Sequence, residues 1–359
     1  MKQELWLASL KGITHGKRRK LTEMYGSAKA VYNIEERRLH SCDFLKEQEI
    51  QLIQNSKKTW DLEREYQALE SENVQLIAWQ NEAYPENLKQ IDNPPYALFV
   101  KGQLPEKEKF SVAIVGARRC SSYGAAMARE IAEELAKNEI EIISGMARGI
   151  DAIAARGALR GGGSSYAVLG SGVDVCYPAD NKGLYNDLQN KGGIISEQPM
   201  RSAPLKANFP ARNRLISALA DTIIIIEAKE RSGSLITADM ALEQGKEIYA
   251  LPGPINSELS KGCNRLIQQG AEILLGIDEL LQNIVSDYRY STKKQEENKI
   301  KLESKEKLVY SCLDFYPINL GKLMNKVNLP ISEILNILVT LELKGYIEEL
   351  SKNYYAKCR

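Results

Sequence analysis

The chain has 359 residues, 43% of them hydrophobic, and a formal net charge of +1. That length and composition predict a soluble, ordered protein of two to three domains, and the near-zero charge excludes a global basic signature for nucleic acid, so any polyanion site must be a local patch. No apolar run approaches the roughly 18 to 20 residues that cross a bilayer. The start, MKQELWLASLKG, sets Glu4 and Lys11 around too short an apolar stretch for a signal peptide, so a cytoplasmic location is expected. Cys42, Cys120, Cys176, Cys263, Cys312 and Cys358 form no CxxC pair, and only His15 and His40 could join them; neither a disulfide framework nor a zinc site is expected, and no cofactor.

Residues 1–100 read as a small helical domain followed by a connector. LASLKGITHGKRRKLTEMYGS has apolar spacing around a Gly12 to Gly16 turn and a basic helix start, the pattern of a SAM or helix-hairpin-helix-like module. ENVQLIAWQNEAYPENLKQIDNPPYALFVKG gives two apolar strands around Pro85, Pro94 and Pro95, read as the connector.

From Ser111 the pattern becomes strand, glycine turn, helix, repeated over a domain expected to span 105–287. SVAIVG (111–116), EIISG (141–145), YAVLG (166–170), GGIISE (192–197), TIIIIEA (222–228), KEIYALPG (246–253) and AEILLG (271–276) are the strands. Helices are expected from about Gly124, around GIDAIAARGAL and from about Leu235. Such alternation predicts an α/β fold with a doubly wound parallel sheet, whose ligands bind at the carboxyl ends of the strands. STKKQEENKIKLESKEK supplies a charged linker at 288–303. Three helices and a hairpin over 304–359 then predict a winged helix, in which Glu333 and Glu342 against Lys344 favour protein contact over DNA reading.

Four strand-end loops are rich in Gly, Ser and Arg: GARRCSSYG (116–124), SGMARGIDA (144–152), GSGVDVCYP (170–178) and EAKERSGSLITA (227–238). Glycine turns and helix starts together describe a phosphate-binding rim. Its candidate residues are Gly116, Arg118, Arg119, Ser121, Tyr123, Gly145, Arg148, Gly170, Gly172, Lys182, Ser232, Gly233 and Ser234. The first loop is not GxGxxG and no GxxxxGK[ST] occurs, which disfavours NAD and P-loop nucleotides. No histidine lies in this stretch to act with Ser232 or Ser234, so no catalytic residue is expected. Asp151 is expected to cap its helix, and Glu197 and Glu227 to hold loops by accepting amide hydrogens. FPARNR adds Phe209 in a polar, proline-flanked loop, with Arg212, Asn213 and Arg214: a ring on which a base can stack beside planar forks that match phosphate oxygens.

These runs in this order, with NFPARNRLISALAD and GCNRLIQQGAE, closely resemble the DprA or Smf family of DNA-processing proteins over nearly all of residues 111–276. The resemblance implies a non-enzymatic, sequence-independent binder of single-stranded DNA on an extended Rossmann-like domain. It further implies that the protein dimerises, protects incoming strands and loads the RecA recombinase during natural transformation. It places DNA contacts at Arg118, Phe209, Arg212 and Arg214, with hydroxyls and amides from Ser232, Gly233 and Ser234. Three positions depart from the family pattern: Ala117 replaces a serine, Ala155 a histidine and Ala211 an arginine. The alternative is a Rossmann-like nucleotide sensor or a phosphoribohydrolase-type enzyme, against which RSGSLITADMALE lacks the acid at the required spacing.

Overall fold

The computed structural model describes residues 1–284, 304–313, 318–327, 329–344 and 346–357, with backbone alone at 304, 350 and 351. The chain forms two compact units, Met1–Ile284 and Val285–Arg359. The charged segment expected at 288–303 lies outside the described residues.

The first unit is built on a nine-stranded sheet in the order β1-β2-β6-β5-β4-β3-β7-β8-β9. Its strands are β1 (Val74–Ala78), β2 (Ala97–Gly102), β3 (Ser111–Gly116), β4 (Glu141–Ser144), β5 (Ser165–Val168), β6 (Gly192–Ser196), β7 (Thr222–Ile226), β8 (Glu247–Ala250) and β9 (Glu272–Ile273). From β6 to β9 every pairing is parallel, and β3 carries β4 on one side and β7 on the other. The chain therefore winds outward from β3 in one direction and then returns to wind in the other, which puts the topological switch between β3 and β7.

The period-two geometry of strands explains the isoleucine run of β7. Ile223 and Ile225 enter one core with Ala113 and Val115, while Ile224 and Ile226 enter the opposite core with Val112 and Ile114. All four isoleucines are fully buried, as a central parallel strand requires.

The expected connector is part of this sheet. β1 pairs antiparallel with β2, and β2 antiparallel with β6, so the boundary expected near residue 100 falls within a hydrogen-bonded strand. Burial gives the reason: Leu98, Phe99 and Val100 are all fully buried. Phe99 faces a core shared with Trp6, Leu7 and Leu21 of the front helices, whereas Leu98 and Val100 face one shared with Ile195 and Leu215. The front helices include Lys2–Ser9 and His15–Tyr25, joined across Gly12 at φ 89°. Thr14 caps the second of these, and the buried Arg18 donates to the carbonyls of Ala8, at 2.6 Å, and Leu10.

The second unit contains helices Ser304–Ser311, Leu320–Lys326 and Ile331–Leu343 with a hairpin of β11 (Ile347–Ser351) and β12 (Tyr354–Lys357), the expected winged helix. A short β10 (Ile318–Asn319), absent from the sequence reading, completes a three-stranded sheet.

Candidate nucleic-acid interface

A cavity of about 420 Å³ opens at the switch point, at the carboxyl ends of β3 and β7. It gathers Gly116 and Arg118 from the loop after β3, Phe209, Arg212 and Asn213 from helix Asn208–Leu219, and Ser232, Gly233 and Ser234 from the start of helix Gly233–Glu243. Gly116 is required by closeness: a Cβ there would lie 1.8 Å from the carbonyl oxygen of Ile226 on the neighbouring strand. Ser232 caps the helix that follows, its Oγ accepting from the Ser234 amide at 3.4 Å and lying 2.7 Å from the Ser234 hydroxyl. The first-turn amides and both hydroxyls thus stand at the cavity wall, where the helix carries partial positive charge.

Phe209 lies in the first turn of a helix, where a loop was expected; Pro210 beside it fits because the first-turn amides have no intrahelical acceptor. Its ring stands 5.4 Å from that of Tyr177, tilted by 36°. Tyr177 is 43% exposed, and Phe209 is half-buried, so the two rings present a joint aromatic face. Tyr177 and Lys206, both lining this cavity, were missed by the sequence reading. Their only signals were an aromatic in a strand-end glycine loop and a lysine just ahead of the Phe209 helix.

Arg212 behaves differently from a surface arginine. Only 6% exposed, it donates through Nη1 to the carbonyls of Gly145, at 3.0 Å, and Val168, and its Nε lies 3.3 Å from Asn213 Oδ1. Asn213 in turn donates to the carbonyl of Gly233 at 3.2 Å, tying the two helices together. A Cβ at Gly145 would lie 2.6 Å from Arg212 Nη2 and 2.8 Å from Asp151 Oδ2, so this glycine makes room for the pair. Burial pulls the Arg212 guanidinium down to about 10, opposed by Asp151, which leaves it protonated at neutral pH. Burial pushes the Asp151 carboxyl up, opposed by Arg212 and by backbone amides.

Asp151 does not cap its helix. Gly149 is the N-cap of Ile150–Arg160, and the Asp151 carboxylate reaches back to the amides of Gly145, at 3.1 Å, and Ala147, at 3.3 Å, clasping the loop after β4. Glu227 does hold a loop: it accepts from the Ser121 amide at 2.8 Å and from the Ser121 hydroxyl. Arg118, Lys206 and Arg212 around the cavity face one carboxylate, Asp151, and Arg118 and Lys206 are exposed with no ion pair among the described residues.

Other candidate residues are not brought to the cavity wall. Arg119 and Tyr123 are exposed beyond it, Ser121 is engaged by Glu227, and Gly145 lies behind Arg212. Arg148 pairs with Asp180 at 2.6 Å, and Lys182 lies over the Tyr185 ring at 4.6 Å. Gly170 backs the Phe209 ring and Gly172 packs on Asp174.

Arg214 points to the other side of its helix. Its guanidinium grips Glu197 through both nitrogens, at 2.6 and 3.1 Å, and donates to the carbonyl of Asn93 at 3.2 Å. His15, from the front helices, completes the cluster: Nε2 lies 3.1 Å from Glu197, and Nδ1 accepts from the Tyr96 amide at 3.1 Å. Burial pushes the Glu197 carboxyl up, but His15 and Arg214 together bring it down to about 2. Because Nδ1 accepts the Tyr96 amide hydrogen it carries no proton, which makes the imidazole neutral, and burial lowers His15 in the same sense against the pull of Glu197. The sequence separation hid this histidine from the reading of the α/β stretch.

Among the described residues no group of His, Cys, Asp and Glu could hold a metal, and no helix is long and apolar enough to cross a membrane. Comparison with known proteins agrees with this architecture. The DNA recombination-mediator protein A family matches residues 75–285, and the DprA winged helix domain matches 293–352. Protein Smf of Escherichia coli K12 is 37% identical over 294 residues, 80% of this chain and 78% of its own length. The DNA processing protein DprA of Streptococcus pneumoniae R6 is 43% identical over 201 residues, 56% of this chain and 71% of its own. The X-ray structure of DprA from Streptococcus pneumoniae superposes with a TM-score of 0.69 at 33% identity, covering 79% of this chain and 97% of that one. A structure of DNA processing protein A from Helicobacter pylori, described for its single-stranded DNA binding mode, gives 0.54 at 32% identity, covering 60% and 97%. The chain belongs to the DNA recombination-mediator protein A family, the DprA or Smf proteins.

Proposed function

We propose that this protein binds single-stranded DNA in the switch-point cavity, independently of sequence. The observation that carries the reading is the joint face of Tyr177 and Phe209 beside the exposed Arg118 and Lys206, over the amide-rich start of helix Gly233–Glu243. An exposed ring accepts any unpaired base, worth about 1 to 3 kcal/mol per base, and duplex DNA offers no such face. Arg118 and Lys206 supply mobile charge for the phosphates, while Arg212, fixed to two strand-end carbonyls, shapes the floor and adds a permanent positive field.

The wider role follows the family: a cytoplasmic, non-enzymatic mediator that dimerises, protects incoming strands and loads the RecA recombinase. The binding described for the Helicobacter pylori protein supports the strand-binding part of this reading. The test is fluorescence anisotropy with labelled oligothymidylate and its duplex counterpart over a salt series. Single-strand preference is expected, with a log-log salt slope of about −0.7 per phosphate contacted. Equal or absent binding of the two forms would overturn the proposal.

A further inference from the structure

Helix Asn208–Leu219 has a second cavity on its other side, about 680 Å³, backed by the His15, Glu197 and Arg214 cluster. The cluster is saturated by its own contacts, so what faces a ligand is the rest of the wall. Gln244 donates its Nε2 to the carbonyl of Arg214 at 3.1 Å, while its buried Oε1 has no hydrogen-bond partner. Asp92 and Glu243 are exposed carboxylates in no ion pair among the described residues, and Gln90 and Asn93 add carboxamides. Ile91, Ala218 and Met240 supply an apolar surface between them.

The charge balance chooses the ligand chemistry. Asp92, Glu197 and Glu243 outnumber Arg214 and Lys246, with His15 neutral, so a phosphate is repelled where N–H donors are wanted. A planar ring bearing an amino group meets these demands: its faces suit the apolar wall, and carboxylates and carboxamides accept from exocyclic amines of bases. Pro210 lines the switch-point cavity and the adjacent Ala211 lines this one, and both are exposed. A strand that leaves the first cavity over these two residues delivers its neighbouring base to the second.

We propose that this cavity is a base-reading subsite for a nucleotide adjacent to the one stacked on Phe209, favouring bases with an exocyclic amine over thymine. The proposal rests on the strand-binding reading above, and adds a modest composition preference to it. The experiment compares labelled oligo-dC and oligo-dT of equal length by anisotropy, for the wild type and for the double substitution Asp92→Ala, Glu243→Ala. Both side chains are exposed and outside the switch-point cavity.

The wild type is expected to bind oligo-dC about fivefold more tightly than oligo-dT, the lower end of what one good base contact gives. The double variant is expected to lose that preference while its oligo-dT affinity holds or rises, because two negative charges have gone. Equal wild-type affinity for both strands, with oligo-dT bound tightly, overturns the subsite and leaves the strand-binding reading standing. A preference that survives in the double variant overturns it as well. Failure to bind either strand overturns the strand-binding reading and the subsite with it.

Discussion

Arg212 and Arg214 are two residues apart on one helix and face opposite sides of it, because two residues turn an α-helix by about 200°. Arg212 lies in the floor of a cavity whose lining is positive, Arg214 in the wall of one whose lining is negative. The first cavity is ringed by Arg118 and Lys206, which form no ion pair among the described residues, and by two half-exposed rings. In the second, the arginine, a carboxylate and a histidine satisfy one another away from water. An arginine beside a functional loop is therefore no guide to binding until its carboxylates are known: the exposed, unpaired cation is available to a phosphate, and the buried, paired one holds the fold.

Substitutions should separate these two roles. The largest effect is expected on stability from Arg214→Ala, which leaves Glu197 buried against a neutral histidine; removing one partner of a buried ion pair costs about 3 to 5 kcal/mol. A fall in the urea midpoint with oligothymidylate affinity retained in the remaining folded protein supports the division, and an unchanged midpoint contradicts it. Next comes Phe209→Ala with Arg118→Ala, for which single-strand affinity should drop about 10- to 100-fold, dominated by the lost stacking, while the midpoint moves little. If binding persists at wild-type strength, the aromatic face is not where the base sits. Lys206→Ala should be milder, shrinking the salt slope by about 0.7, with its loss of affinity greatest at low salt and fading at high salt.

The smallest expected effect is a contrast of pH dependence between two buried carboxylates, Glu141 at the start of β4 and Glu197 just past the end of β6. Glu197 lies in the folded protein at about 2 against an ordinary 4.5, so the unfolded chain binds more protons between these values. Its contribution is complete above 4.5 and is lost as pH falls towards 2. Burial pushes Glu141 the other way, to about 7, although it accepts from the Tyr166 hydroxyl at 2.8 Å and the Glu106 amide at 3.0 Å. Here the folded protein binds the extra proton, so stability falls as pH rises from 4.5 to 7. Thermal melts across pH should show Glu197→Gln flattening the acid limb and Glu141→Gln flattening the fall towards neutrality; the same slopes in variant and wild type would refute both assignments.

The sequence alone determined the elements whose cause is local. Alternating apolar runs and glycine turns marked β3 to β8, because a buried parallel strand must be apolar on both faces and must end where the backbone turns sharply. The same logic located the winged helix, and the strand-end loops followed from the rule that parallel strands present their carboxyl ends together. Only the tertiary structure decided matters of pairing and facing. β1 and β2 read as a connector because β6, the antiparallel partner that joins β2 to the sheet, lies some ninety residues on, and no local pattern records which edge a strand will join. Gathering of Tyr177 with Phe209, and of His15 with Glu197 and Arg214, joins segments far apart in the chain. Which of two neighbouring arginines meets water is set by the packing of their helix, since the side chain's chemistry is the same on either face.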